Sequence, residues 1–339
     1  MRGREAGLIF GSGETGERNL ITDVPGVLVG HCTVDTGDVH TGVTAVIPGT
    51  GLAEQAFTAA VHVLNGYGKT AGTVQIEELG RLETPVLLTN TLGVGVCLDA
   101  LAEYMTDMYK KAGKELVSIN GVVGETNDSR ISDIARRAVR KEHVFEALDS
   151  AASVFELGSA GAGRGTVCFG LKGGIGSASR RIRLGSETYT LGILVQSNFG
   201  ALQDLTVCGQ PLGRQIAAGK DREETDRGSI MAVLATDLPL SDRQLKRVVK
   251  RIGAGIIRTG SHMGHGSGDV FIGFTTANRI PLHKGAVYTV SALREELLDK
   301  VFRSVIECTE EAVIDSMLEA EPVKGIKGKR YPSLKEYMK

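Results

Sequence analysis

The chain predicts one large α/β domain, layered around a mixed sheet. Three observations lead there. Short runs rich in β-formers recur along its 339 residues. Runs with helical spacing lie between them without a clean β-α-β alternation. No Pro/Gly/Ser linker and no internal repeat divides the chain. Length alone allows two domains or one large one. The only break, a charged run at 220–227, is short and falls inside the domain.

Strands are expected at 43–47, 85–88, 166–171, 189–195, 229–235, 270–276 and 286–290, most of them bounded by Gly, Pro or Asn. A helix over 94–111 follows from Val94, Leu98, Leu101, Met105 and Met108 at helical spacing, with Gly113 as a stop. Residues 131–151 read as a helix charged on one face. Ser241 and Gln244 stand at capping-box spacing and open a helix over 241–251. The longest helix, 291–318, gathers Leu293, Leu297, Val301, Val305 and Val313 on one side.

Composition narrows the function classes. Hydrophobic residues are 42% and charged residues 23%, ordinary for a folded soluble protein. A net charge of −1 without a basic stripe argues against nucleic acid as a partner. Cys32, Cys97, Cys168, Cys208 and Cys308 are odd in number and lack CxxC spacing, so they read as reduced, mostly buried thiols of a cytosolic protein. The apolar stretch near the N-terminus is too short for a signal peptide, and no run approaches a membrane span. A soluble, cytoplasmic protein is expected. Glycine is abundant at 45 residues and sits at strand ends and in loops, where backbone approaches backbone or ligand.

Several motifs tempt and fail. GSGETG at 11–16 matches G-x-G-x-x-G, but a proline arrives before any helix, so a mobile N-terminal loop is expected instead. GYGKT at 66–70 lacks the first glycine of a P-loop, because position 63 is Val. The glycine loop at 158–165 precedes a strand, the wrong order for phosphate at a helix N-terminus, and reads as a close-packed turn. His262 and His265, with Asp269 nearby, are too few for zinc. No metal and no cofactor is expected.

One junction is different. Seven of the eight residues at 220–227 are charged, and the apolar run Ile230, Met231, Ala232, Val233, Leu234, Ala235 begins just after Gly228 and Ser229. A cut between Gly228 and Ser229 would put a hydroxyl and a free α-amine on one Cα. The hydroxyl needs a base to become a nucleophile. An α-amine, with a pKa of about 7.7–8.0, suits that role near neutral pH. Glycine before the cut tolerates the contorted peptide that attack by the Ser229 hydroxyl requires. An ordinary surface loop entering a strand is the alternative on these residues alone.

Ordered segments along most of the chain resemble the L-aminopeptidase/D-alanyl-esterase family, which includes the β-aminopeptidases. They are ITDVPGVLVGHCTV (21–34), GVTAVIPG (42–49), LNGYGKTAG (64–72), TNTLGVG (89–95), GETND (124–128), GAGRGTVCFGLKGGIGSASR (161–180), LGILVQSNFG (191–200), DRGSI (226–230) and GHGSGD (264–269). The resemblance implies a four-layer α/β/β/α sandwich like that of N-terminal nucleophile hydrolases, with its own connectivity. It implies self-cleavage into 1–228 and 229–339, two chains that stay together, and assembly as a homo-oligomer, commonly a tetramer.

The resemblance also nominates residues. Ser229 is the nucleophile. Ser267 and Asp269 match the serine-x-acid pair, and their i, i+2 spacing on an extended segment turns both side chains the same way. They are expected to hydrogen-bond the Ser229 amine and hydroxyl. Asn198 matches the asparagine whose amide holds the oxyanion. The family often places a tyrosine after GETND, whereas here Ser129 and Arg130 follow and no tyrosine lies between Tyr109 and Tyr189. Asn127 and Arg130 are the substitutes considered.

The reading is an aminopeptidase or amidase acting on small peptides and on amino-acid amides or esters through an acyl-enzyme on Ser229. An acyltransferase of the ornithine acetyltransferase kind is the alternative enzyme, and Ser229 within DRGSI argues against it. A family-fold assembly protein without activity is the third reading. Ser229, Ser267, Asp269 and Asn198 together argue against that.

Overall fold

Alternation along one strand sets the order of the layers. In the run Ser229–Thr236, Met231, Val233 and Ala235 belong to one buried cluster, while Ile230, Ala232 and Leu234 belong to another. A strand covered on both faces carries a continuous apolar run, as this one does. The computed structural model describes residues 1–218, 228–282 and 285–338. The charged run at 220–227 lies outside the described residues.

In chain order the strands are β1 (Leu28–Thr36), β2 (Val39–Ile47), β3 (Gln55–Gly66), β4 (Arg81–Leu82), β5 (Val86–Asn90), β6 (Val122–Thr126), β7 (Val167–Cys168), β8 (Leu171–Lys172), β9 (Gly174–Leu184), β10 (Glu187–Asn198), β11 (Ser229–Thr236), β12 (Gly268–Pro281), β13 (Val323–Lys324) and β14 (Arg330–Tyr331). The helices are α1 (Thr73–Leu79), α2 (Val94–Lys111), α3 (Lys141–Asp149), α4 (Leu212–Ala217), α5 (Asp242–Val249), α6 (Ile252–Arg258) and α7 (Leu298–Leu318). One sheet runs β1-β2-β5-β6 and the other β4-β3-β12-β11-β10-β9. β11 and β12 are parallel, whereas β10 and β11 are antiparallel, so the larger sheet is mixed.

The two sheets face each other across the first cluster, where Val46 and Leu88 meet Met231, Val233, Ile272 and Phe274. Helices α2 and α3 cover the outer face of the four-stranded sheet. Helices α5 and α7 cover the outer face of the six-stranded sheet, with α6 packed on α7. The architecture is therefore α/β/β/α. No helix among the described residues is long and apolar enough to cross a membrane.

Several expected elements stand as read. Helix α2 spans 94–111, and Ser241 caps α5 through Gln244 in a reciprocal box. Others differ for identifiable reasons. Residues 166–171 form no single strand, because Phe169 and Gly170 both take positive φ (49° and 70°) and fold the segment back as the β7–β8 hairpin. The Phe169 N–H donates to the Phe199 carbonyl at 2.6 Å and the two rings pack edge-on, which holds the left-handed Phe169 in place.

Residues 286–290 make no strand, since Val287 is 87% exposed with no adjoining strand to pair with among the described residues. The helix expected over 131–151 shrinks to α3, because Arg137 turns left-handed (φ 47°) before it. The longest helix starts at Leu298, after a 3-10 turn at Glu295–Leu297.

The segment at 11–16 is pinned, not loose. Ser12 and Gly13 donate their N–H groups to Glu307 on α7, and Gly16 donates to Ser179 on β9. Nearby, Arg180 is fully buried and pairs with Glu311 of α7 at 2.7 Å. Charge thus ties the N-terminal arm across helix and sheet together.

Candidate active site

Three strand ends form one rung. Asn198, the last residue of β10, pairs with Ser229, the first of β11, and Ser229 pairs with Gly268, the first of β12. Side chains directly opposite on neighbouring strands point to the same face. Ser229 and Asn198 therefore both face the space between the sheets, in step with Met231 and Leu194 of the inter-sheet cluster. The rung opens into a cavity of about 710 Å³ that both sheets line.

The Ser229 hydroxyl is nearly buried and accepts the Gly268 N–H at 3.2 Å. The same N–H reaches the carbonyl oxygen of Gly228, also at 3.2 Å. Gly228 admits no side chain: a Cβ there would lie 1.9 Å from the Asn198 carbonyl oxygen. Asn198 is held at both ends of its amide. The Val167 N–H donates to its Oδ1 at 2.9 Å, and its Nδ2 donates to the Asn127 carbonyl at 3.0 Å.

Ser267 and Asp269 are both fully buried, and the Ser267 hydroxyl donates to Asp269 Oδ1 at 2.7 Å. They flank Gly268, so strand alternation turns them toward Phe271 and the helix side. Neither lines the cavity. Asn65, opposite Asp269 on β3, fastens the loop before them by donating to the carbonyls of Gly264 and Ser267 at 2.8 and 2.7 Å.

Asn127 and Arg130 line the same cavity as Ser229, beyond the end of β6. His262 and His265 stand on its opposite rim. Among the described residues no three His, Cys, Asp or Glu side chains gather into a set that could hold a metal. A second cavity of equal volume lies at the N-terminal arm. Of its charged lining, Arg164 pairs with Asp35, Arg2 with Asp315, and Glu319 with the N-terminal ammonium.

Two cavity residues escaped the reading of the sequence. Glu125, at 3% exposure, accepts the Lys69 N–H at 2.9 Å and the Thr91 hydroxyl. A buried acid in the cavity that Ser229 lines is a ready acceptor for a cationic group. Tyr67 is the other. It lines the cavity from the loop after β3, beside the His265 ring and under the Lys69 ammonium. Behind the loop, the Asp128 carboxyl accepts from Asn90 at 3.1 Å, and burial pushes its pKa up to about 6.

Comparison with known proteins identifies the family. Residues 19–331 match the model of peptidase family S58. The beta-peptidyl aminopeptidase BapA of Sphingosinicella microcystinivorans is 38% identical over 96% of this chain and 88% of its own length. Its namesake from Sphingosinicella xenopeptidilytica is 35% identical over 96% and 86%. The structure of the L-aminopeptidase D-Ala-esterase/amidase from Ochrobactrum anthropi superposes with a TM-score of 0.91 at 36% identity, covering 98% of this chain and 95% of that one. It is described as a prototype for the serine aminopeptidases and a new variant of the Ntn hydrolase fold. The PH0078 protein of Pyrococcus horikoshii OT3 superposes with a TM-score of 0.94 at 41% identity, over 100% and 98%. This chain belongs to peptidase family S58 and is a hydrolase of the serine-aminopeptidase type.

Proposed function

We propose that the chain is made as a precursor that cuts itself between Gly228 and Ser229, and that the exposed N-terminal serine then removes N-terminal residues from small peptides and from amino-acid amides or esters. One observation carries this reading: Ser229 heads a buried strand at the mouth of a cavity, with the Asn198 amide opposite it in the same rung. A rigid strand end holds a reacting group better than a loop does.

In the self-cleavage, the Ser229 hydroxyl oxygen attacks the Gly228 carbonyl carbon. Its proton passes to the departing Ser229 nitrogen, and the peptide becomes an ester. Water then hydrolyses the ester, which leaves a Gly228 carboxylate and the Ser229 amine. The Gly268 N–H within 3.2 Å of the Gly228 oxygen is suited to carry the negative charge that develops there.

In turnover, the free α-amine of Ser229 takes the hydroxyl proton as Oγ attacks the substrate carbonyl. The Asn198 amide holds the oxyanion, and the proton moves on to the leaving amine. Water releases the amino acid from the acyl-enzyme. Ser267 and Asp269, on the far side of the strand, address the Ser229 nitrogen, where the carboxylate favours the protonated amine. Glu125 takes the substrate's own ammonium, which confines cleavage to the first residue. Asn127 and Arg130 shape the leaving-group side. The chains 1–228 and 229–339 stay together in a cytoplasmic homo-oligomer, a tetramer by the resemblance.

The test is the denatured intact mass of freshly purified protein beside a Ser229→Ala variant, followed by turnover of amino-acid amides. Two fragments meeting at Gly228 and Ser229, with the variant whole and inert, are expected. A single full-length mass in both samples would remove the α-amine from the mechanism.

A further inference from the structure

Lys172, the last residue of β8, is fully buried, and its acceptors are three backbone carbonyl oxygens. They belong to Gly163 at 2.8 Å, Thr166 at 3.1 Å and Gly173 at 2.7 Å. An ammonium has three N–H donors and no acceptor, whereas a neutral amine has two and a lone pair. Three carbonyls converging on one nitrogen therefore fit the charged form. Burial, and next the Arg164 charge, push the Lys172 pKa down, while Cys168 and Asp35 pull the other way. Holding an ammonium in such a place costs stability, and its placement relative to the active site gives that cost a function.

The Thr166 carbonyl and the Val167 N–H are the two ends of one peptide unit. Lys172 grips the oxygen end, and the nitrogen end donates to Asn198 Oδ1 at 2.9 Å. Asn198 in turn lines the cavity opposite Ser229, and its Nδ2, with one hydrogen given to the Asn127 carbonyl, has a second to donate. Hydrogen bonds in a chain polarise one another, most strongly in a dry interior. We infer that Lys172 is a positioning residue for the oxyanion: its ammonium, acting through the Thr166–Val167 peptide, orients the Asn198 amide and sharpens its Nδ2–H as a donor. The inference rests on the proposed role of Asn198.

Two inhibitors separate this role from a structural one. Alaninal offers a carbonyl that Ser229 can convert to a hemiacetal, with its oxygen in the place of the oxyanion. Alaninol keeps the amine and methyl group but has no carbonyl. In Lys172→Met, alaninal binding and kcat are expected to fall together by about tenfold, part of the roughly 10²–10³ that a lost oxyanion donor costs. Alaninol binding and KM should hold. Equal weakening of both inhibitors, or of neither, overturns the inference while leaving the proposed function standing. Wild-type enzyme that binds alaninal no better than alaninol refutes the oxyanion reading itself, and the inference with it.

Lys172→Gln, which keeps two donors for the cage but no charge, repeats the test if the methionine variant fails to fold. Should neither variant fold, the ¹⁵N spectrum of lysine-labelled wild-type protein still decides. A protected ammonium signal supports the relay, and a neutral buried amine overturns it.

Discussion

Asn198 and Ser229 are cross-strand partners at the end of β10 and the start of β11, and Gly268 completes their rung. One hydrogen-bonded register thus sets the distance between an amide donor and a hydroxyl. That register is held from both ends, by the buried strand behind Ser229 and by the Val167 and Asn127 contacts of the Asn198 amide.

Asn198→Ala should therefore act on the barrier and spare binding. A fall in kcat of about 10²–10³, or roughly 2.7–4 kcal/mol, is expected per cleaved chain, with KM nearly unchanged. Steady-state kinetics on an alanine amide, normalised to the fraction carrying a free Ser229, check it. A loss confined to KM would assign Asn198 to substrate binding.

Gly228→Ala tests the proposed junction without touching the Ser229 side chain. The new methyl group meets the Asn198 carbonyl oxygen, so the ends of β10 and β11 must part. Overpacking of this kind costs about 1–3 kcal/mol. Self-cleavage should slow and uncut chain should accumulate, as a time course of fragment formation on denaturing gels would record. Cleavage at the wild-type rate would mean that the strand ends yield freely.

Glu125→Gln keeps the hydrogen-bonding shape and removes the charge. For a substrate with a free α-amine, kcat/KM should drop by about 2 kcal/mol, roughly 30-fold, the scale of a hydrogen bond to a charged group. An N-acetylated analogue should be hardly affected. Equal losses on both substrates would exclude Glu125 as the ammonium acceptor.

Asp128 makes stability depend on pH. An acid whose pKa rises on folding holds its proton more tightly in the folded chain, so its stabilising contribution is present below about pH 4 and is lost as pH climbs through about 6. Asp128→Asn removes that loss. Its melting temperature relative to wild type should be more favourable near pH 7.5 than near pH 4.5, by the equivalent of at most about 3 kcal/mol. The same offset at both values would show that Asp128 titrates normally.

Much of this molecule can be read from its residues, and the exceptions share a cause. β11 is legible because both its faces are buried, which leaves an unbroken apolar run. Helix α2 and the Ser241 cap are local patterns that tertiary packing leaves alone. β9 is illegible for the opposite reason. It buries Ser177, Ser179 and Arg180, and it can do so only because the N-terminal arm and α7 supply their partners. In the site, the step from charge to apolar strand points to Ser229, and the shared motifs add Asn198, Ser267 and Asp269. Glu125 and Tyr67 also lie inside shared motifs, GETND and LNGYGKTAG, but nothing in those motifs assigns them a role, since each becomes part of the cavity only when two sheets and a loop converge.

The strand order of the larger sheet would give the proposed cut a lasting effect. Read across, β4, β3, β12, β11, β10 and β9 come from the first product chain, the first, the second, the second, the first and the first. The shorter chain is thus clasped in the middle of a sheet whose flanks belong to the other. Once cut, the particle regains its fold only by a bimolecular encounter, so its reversibility acquires a concentration dependence that the precursor lacks. Denaturing and diluting the mature enzyme should then be a one-way operation.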